Sequence, residues 1–192
     1  DQALLARHDL LTGYAHWAYT HQSLFGLAAS QVSGDETLHL VDHHRCHGDI
    51  ISFSNTEFYD GRLHIATRHD RLRRPDRSQP GIRWVDVGGR VSRPEAGGAI
   101  NTAEAHAVVG ALRELVLGEG YAGTLGVVTP FRAQANAIAQ LVSRDAELSA
   151  VLAKREFLAD TVHRFQGDER DVIFFSPVVA EGVSPGAIGF LR

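Results

Sequence analysis

TVHRFQGDERDVIFFS, running from Thr161 to Ser176, decides how this chain is read. Two apolar runs flank a polar turn that gathers Gln166, Gly167, Asp168, Glu169 and Arg170. The pattern predicts a buried strand, a tight turn and a second buried strand. A tight turn calls for the glycine but not for the side chains around it. A turn that touches a phosphate-bearing ligand calls for both, since glycine lets the backbone approach closely and the neighbours supply donors and acceptors. On the plainer reading Phe165 belongs to the core, and Asp168, Arg170 and Asp171 form a surface charge network.

Working outward, strands are expected over 157–162 and 171–179, and TLGVVT (Thr124–Thr129) reads as a buried strand. Thr129 suits an N-cap and Pro130 the first position of a helix reaching about Val142. A further helix is expected near 146–154. The clearest helix covers 101–117: Asn101 and Glu104 open it in the manner of a capping box. Ala105, Val108, Val109, Leu112, Leu115 and Val116 follow at helical spacing, and Gly118 and Gly120 stop it. Further upstream, LHLVD (38–42) reads as a strand, 49–59 as a short helix ended by Asp60-Gly61, 63–67 as a strand, 68–81 as a polar loop and IRWVDV (82–87) as an alternating strand.

Strands alternating with helices predict an α/β fold, a mainly parallel sheet covered on both faces. Ligands of such sheets bind at the carboxyl ends of the strands. Three polar clusters are expected on that edge: HHRCH (43–47), TPFRAQ (129–134) and HRFQGDE (163–169).

The chain has 192 residues, 44% hydrophobic and 22% charged, enough for one sizeable core. The expected organisation is a helical or irregular lead-in over 1–30 and one domain over 31–192. No apolar run reaches membrane-spanning length. Cys46 is the only cysteine, which excludes an internal disulfide and fits a reducing, cytoplasmic compartment. The chain contains no methionine, as expected for a piece of a longer protein, and Lys154 is its only lysine, which fits a GC-rich bacterial genome. A net charge of −4 argues against a general nucleic-acid coat but leaves room for a local groove. Arg68, Arg71, Arg73, Arg74 and Arg77 against Asp70 and Asp76 read as a solvated loop.

Alone, each cluster has a bland reading. Thr129 caps and Phe131 packs. His43 and His47, four apart with Cys46 between, suggest a metal, but a tetrahedral site needs three or four ligands and no second cluster offers them at a usual spacing. A metal-dependent hydrolase stays open on that segment, as does a non-catalytic α/β scaffold or protein-interaction domain.

Together the clusters resemble superfamily 1B helicases. Residues 161–173 resemble motif V of that group, [ST]-V-[DH]-x-F-Q-G-x-E-x-D-x-[VI]. GVVTPFRAQ resembles a segment of the form G-[VI]-[IV]-[ST]-P-[YF]-x-x-Q. LVDHHRCHGDIISFSNTEFYDGRL is similar to L-x-x-x-[QN]-Y-R-[MS]-H-P…F…FY-x-G-x-L, with Arg45, His47, Phe53, Phe58, Tyr59, Gly61 and Leu63 in place. His43 and His44 replace the usual Gln-Tyr, and Cys46 and Gly48 the usual Met and Pro. HQSLF (21–25) with Leu27 resembles the segment preceding this motif, and Asp1-Gln2 the tail of an earlier one.

The resemblance implies a RecA-like three-layer sandwich, the second motor domain of an ATP-dependent helicase. It implies Arg45 as the catalytic arginine at the γ-phosphate, a task that suits a planar, permanently charged guanidinium. It places His44, Gln166, Gly167 and Glu169 at the nucleotide, with His44 offering a smaller stacking face than tyrosine. Thr129, Gln134, Thr161 and His163 would meet single-stranded DNA or RNA, with translocation 5′ to 3′. The implied cofactors are ATP and Mg2+, the magnesium held mainly by an upstream RecA-like domain, the implied partner within the same protein. No G-x-x-x-x-G-K-[ST] phosphate loop and no D-E-A-x sequence occurs in the chain. The group's last motif, R-x-N-V-A-x-[ST]-R-A, is expected just past GAIGFLR, and the fragment alone is expected to be inactive.

Overall fold

The computed structural model describes residues 2–10, 23–34, 37–75, 81–95 and 97–190. The suggested matches at Asp1 and His21, and Asp76 and Arg77 of the polar loop, fall outside them. The chain divides into two compact units, Asp1–Asp42 and His43–Arg192. The first contains helices α1 (Gln2–Arg7) and α2 (Leu24–Ser30), the latter capped by Ser23, whose hydroxyl accepts from the Gly26 N–H at 3.0 Å. LHLVD is irregular up to Val41, and only Asp42–His43 is extended as β1.

In the second unit α3 (Gly48–Tyr59) ends on Asp60 in the left-handed conformation, φ 52°, as the Asp-Gly pair predicts. β2 (His64–Ile65) follows. The Asn55 side chain clamps the return: its Oδ1 accepts from the Leu63 N–H at 2.9 Å and its Nδ2 donates to the Leu63 carbonyl at 3.2 Å. The His43 carbonyl accepts from the Ala66 N–H at 2.9 Å. IRWVDV forms no strand. Among the described residues its alternation finds no strand to pair with, and Ile82, Trp84 and Val85 stand 65%, 80% and 61% exposed. The extended pair lies further on, β3 (Val91–Ser92) antiparallel to β4 (Ile100–Asn101).

Asn101 then caps α4 (Thr102–Arg113), its side chain accepting from the Glu104 N–H at 3.2 Å, and the helix runs on as a π turn to Gly118. β5 (Leu125–Thr129) is buried throughout. α5 (Arg132–Arg144) starts two residues later than predicted, because Thr129 Oγ1 accepts the Phe131 N–H at 3.3 Å and delays the first turn. α6 (Ala146–Leu152), β6 (Leu158–Thr161), a 3-10 turn at Val162–Phe165, β7 (Val172–Phe175) and α7 (Pro185–Phe190) complete the unit.

β5 lies between β6 and β7, parallel to both, with Thr129 opposite Thr161 and Val128 opposite Phe175. One face of β5, Leu125 and Val127, packs on Val108 and Leu112 of α4, Ile138 and Val142 of α5, and Leu148 and Leu152 of α6. Each such side chain, fully buried, contributes about 1.5–3 kcal/mol. The other face carries Gly126 and Val128, with Phe165 and Arg170 lying over Gly126. Cover on this face thins towards β7, where Ile173 and Phe175 are 47% and 57% exposed. This is the mainly parallel α/β architecture of a RecA-like domain, less evenly covered than its pattern suggested.

Candidate functional site

The segment after β6 does not stay at one edge. Thr161 ends β6 at the carboxyl edge of the sheet, beside Thr129 of β5. From there the chain crosses the sheet face: the Phe165 ring sits over Gly126, where a Cβ would meet its Cε1 at 2.9 Å. The crossing ends at the amino edge. There Arg170 Nε donates to the Glu156 carbonyl at 2.7 Å, just before β6 begins. Asp171 Oδ2 accepts from the N–H and the hydroxyl of Thr124 at 2.7 and 2.9 Å, and the Asp171 N–H donates back to that hydroxyl at 2.9 Å. The expectation of three clusters on one edge is therefore corrected. HRFQGDE spans both edges, because a buried Phe165 draws it over the only β5 position without a side chain. HHRCH follows β1, which is not a strand of this sheet.

The turn itself is a type II turn. Gln166 has φ −60° and ψ 120°, Gly167 has φ 85°, and the Asp168 N–H donates to the Phe165 carbonyl at 2.9 Å. Around Gly167 the position of a Cβ is open space, so the backbone is bare to an approaching ligand. Asp168 Oδ1 accepts from Arg170 Nη1 at 2.5 Å and from the Glu169 N–H at 2.9 Å. The Arg170 hydrogen bond, with that N–H behind it, holds the Asp168 carboxyl below its ordinary range.

Gln166 and Glu169 are exposed, and so is His44. Arg45 lies between His44 and Cys46 in the bend before α3, and its Nε stands 3.6 Å from Glu169 Oε2. Two residues assigned to the nucleotide from separate motifs thus meet. His43 Nε2 and Cys46 Sγ are 3.1 Å apart, and His47 stacks on His69 with centroids at 4.2 Å. Among the described residues no group of three His, Cys, Asp or Glu is placed to hold a metal ion. His43 and His47 each accept a backbone N–H on a ring nitrogen.

At the carboxyl edge Thr129 and Gln134 are fully buried and Thr161 nearly so, while His163 is exposed. Gln134 has an internal task. Its Oε1 accepts from the Asn101 N–H at 3.0 Å, and its Nε2 donates to the Asn101 carbonyl at 3.2 Å and to Ser176 Oγ at 3.0 Å. Ser176 Oγ donates to Glu104 Oε1 at 2.5 Å, which also accepts the Val178 N–H at 3.1 Å. The amide is used up inside the protein, so Gln134 supports the edge and does not present itself to a strand. Besides His163, two groups that reach solvent there were missed in the sequence. Arg132 pairs with Asp160 at 2.5 Å and donates to Thr161 Oγ1 at 3.3 Å, and Arg164 lies 3.7 Å from Asp160. Both arginines are more than half exposed beside a largely buried Asp160. Their signal was position: one opens α5 and the other lies three residues after Thr161.

A parallel sheet with a bare glycine turn beside Arg45 and exposed cationic side chains at its carboxyl edge fits a RecA-like helicase domain. The comparisons agree. The family described as AAA domain matches residues 20–192, and the chain belongs to that family, within superfamily 1B helicases. Helicase sen1 of Schizosaccharomyces pombe is 30% identical over 182 residues, covering 89% of this chain and 10% of that protein. Putative helicase MOV-10 of Gallus gallus is 27% identical over 91% of this chain and 20% of its own length. Putative helicase mov-10-B.1 of Danio rerio is 28% identical over 72% of this chain and 15% of its own. The chain thus spans a tenth to a fifth of the length of these relatives, all of them eukaryotic. No helix among the described residues is long and apolar enough to cross a membrane.

Proposed function

We propose that this chain works as the second motor domain of an ATP-dependent helicase acting on single-stranded DNA or RNA. The observation that carries the reading is the path of residues 161–171. One continuous segment joins the edge of Thr161 and His163 to the edge of Gly167 and Glu169, and it is fastened to the sheet at both ends and in the middle. A displacement at one edge has a direct mechanical route to the other. ATP, with the magnesium supplied from an upstream RecA-like domain, would lie against Arg45, His44 and the Gln166–Glu169 turn. Arg45 would stabilise charge developing on the γ-phosphate. The strand's phosphates would meet Arg132, His163, Arg164 and the backbone after Thr129, giving salt-dependent and largely sequence-independent binding.

The test is the ATPase rate of the full-length protein with and without single-stranded nucleic acid, beside Arg45→Ala. Stimulation by the strand and a loss of roughly a thousandfold with Arg45→Ala are expected. No stimulation, or an unchanged rate in a folded Arg45→Ala protein, would leave a non-catalytic scaffold, the reading that the substituted His43-His44 pair favours.

A further inference from the structure

We infer that His43 and His47 are positioning residues for Arg45, each holding the arginine's turn through an unprotonated ring nitrogen. The inference rests on the reading of Arg45 above. The Cys46 N–H, next to Arg45, donates to His43 Nε2 at 3.1 Å. The Asp49 N–H donates to His47 Nδ1 at 3.3 Å, which makes His47 the N-cap of α3. A backbone N–H can only donate, so each bond assigns a tautomer: His43 carries its proton on Nδ1 and His47 on Nε2. The turn that presents Arg45 is therefore pinned on both sides by imidazole lone pairs.

Protonation removes both lone pairs. At His43 the charged Nε2 would face the Cys46 N–H and also the Cys46 thiol, 3.1 Å away. Burial pushes that thiol's pKa up, so it keeps its own proton at neutral pH. At His47 the outcome is an exchange of partners. Asp49 Oδ2 lies 3.4 Å from Nδ1, so a protonated ring would turn from the Asp49 N–H to the Asp49 carboxylate and uncap the helix. The Asp49 carboxylate and the stacked His69 ring are the neighbours that face His47. Arg45 would then keep only its exposed contact with Glu169.

Two measurements test this. Long-range proton–nitrogen correlation on the 192-residue chain at pH 7.5 should show the Nδ1–H tautomer at His43 and the Nε2–H tautomer at His47, and the reverse at either ring overturns the inference. In the full-length protein, His43→Ala with His47→Ala should lower kcat about tenfold with little change in KM for ATP. His43→Gln with His47→Asn should restore it, since Gln Oε1 and Asn Oδ1 take the places of the two nitrogens and accept at any pH. Wild type should lose a larger share of its rate than the Gln/Asn variant as the solution is acidified from pH 7.5 to 5.5. Parallel profiles in folded proteins would overturn the positioning role. An unchanged rate in Arg45→Ala would instead sink the motor reading while the tautomers stood.

Discussion

Arg45 and Glu169 meet at 3.6 Å with their side chains 61% and 74% exposed. A pair in that much water contributes about 0–1 kcal/mol. On the proposed function it would work as a latch that a nucleotide phosphate opens, because phosphate offers the guanidinium a stronger partner than an exposed carboxylate does. In urea unfolding of this chain, an Arg45→Ala and Glu169→Ala double-mutant cycle should give a coupling below about 1 kcal/mol. A coupling of 2 kcal/mol or more, a threshold set by the range for contacting residues, would make the pair a structural tie and remove the latch.

Gly167 sits where a type II turn demands a positive φ, and open space surrounds it, so a side chain there meets strain and no clash. Gly167→Ala should cost about 1–2 kcal/mol in urea unfolding. The neighbouring Asp168 adds a pH dependence of known sign. Its folded pKa is depressed, chiefly by Arg170, so its contribution is present above the ordinary carboxylate value and fades as pH falls through the folded one. Asp168→Asn should flatten stability against pH between neutral and about pH 3, the range in which carboxylates titrate. An unaltered profile would mean that Arg170 gains nothing from the charge.

The crossing of the sheet face depends on Gly126. A Cβ there would meet Phe165 Cε1 at 2.9 Å and Arg170 Cγ at 3.2 Å, both parts of the segment that links the two edges. Overpacking of this kind costs about 1–3 kcal/mol. Gly126→Ala should therefore destabilise the chain by that amount. In the full-length protein it should weaken stimulation of the ATPase by nucleic acid more than the unstimulated rate. Equal loss of both rates would show that the segment carries no coupling.

Much of the sheet was legible because its residues obey a period. The apolar run at 124–129 and the helical spacing from Ala105 to Val116 leave few alternatives, and a buried β5 with α4 against it followed. IRWVDV obeys a period too, but a strand needs a neighbour, and nothing in its own residues says that none pairs with it. The polar assignments divide in the same way. Gly167 was legible because its turn type admits little else. Gln134 was misread as reaching a strand because a glutamine in a helix's first turn looks the same whether it faces solvent or the backbone of Asn101, a residue far away in sequence. Arg132 and Arg164 were passed over in an arginine-rich chain, where Asp160 alone distinguishes them, and it does so only in three dimensions.

That difference between Gln134 and the two arginines gives the sharpest separation of roles at the carboxyl edge. Each arginine that meets a phosphate releases condensed counterions, so removing one should lower the slope of log affinity against log salt by about 0.7 for a single strand. Arg132→Ala and Arg164→Ala in the full-length protein should each do so, measured by fluorescence anisotropy of a labelled oligonucleotide across a salt series. Gln134→Ala strips partners from the buried N–H and carbonyl of Asn101 and should cost about 1–3 kcal/mol in unfolding. Its salt slope should match wild type, because the substitution removes no charge. Weaker binding of the oligonucleotide by a folded Gln134→Ala protein at fixed salt, with both arginine variants unchanged, would place the strand elsewhere and return Gln134 to the binding surface.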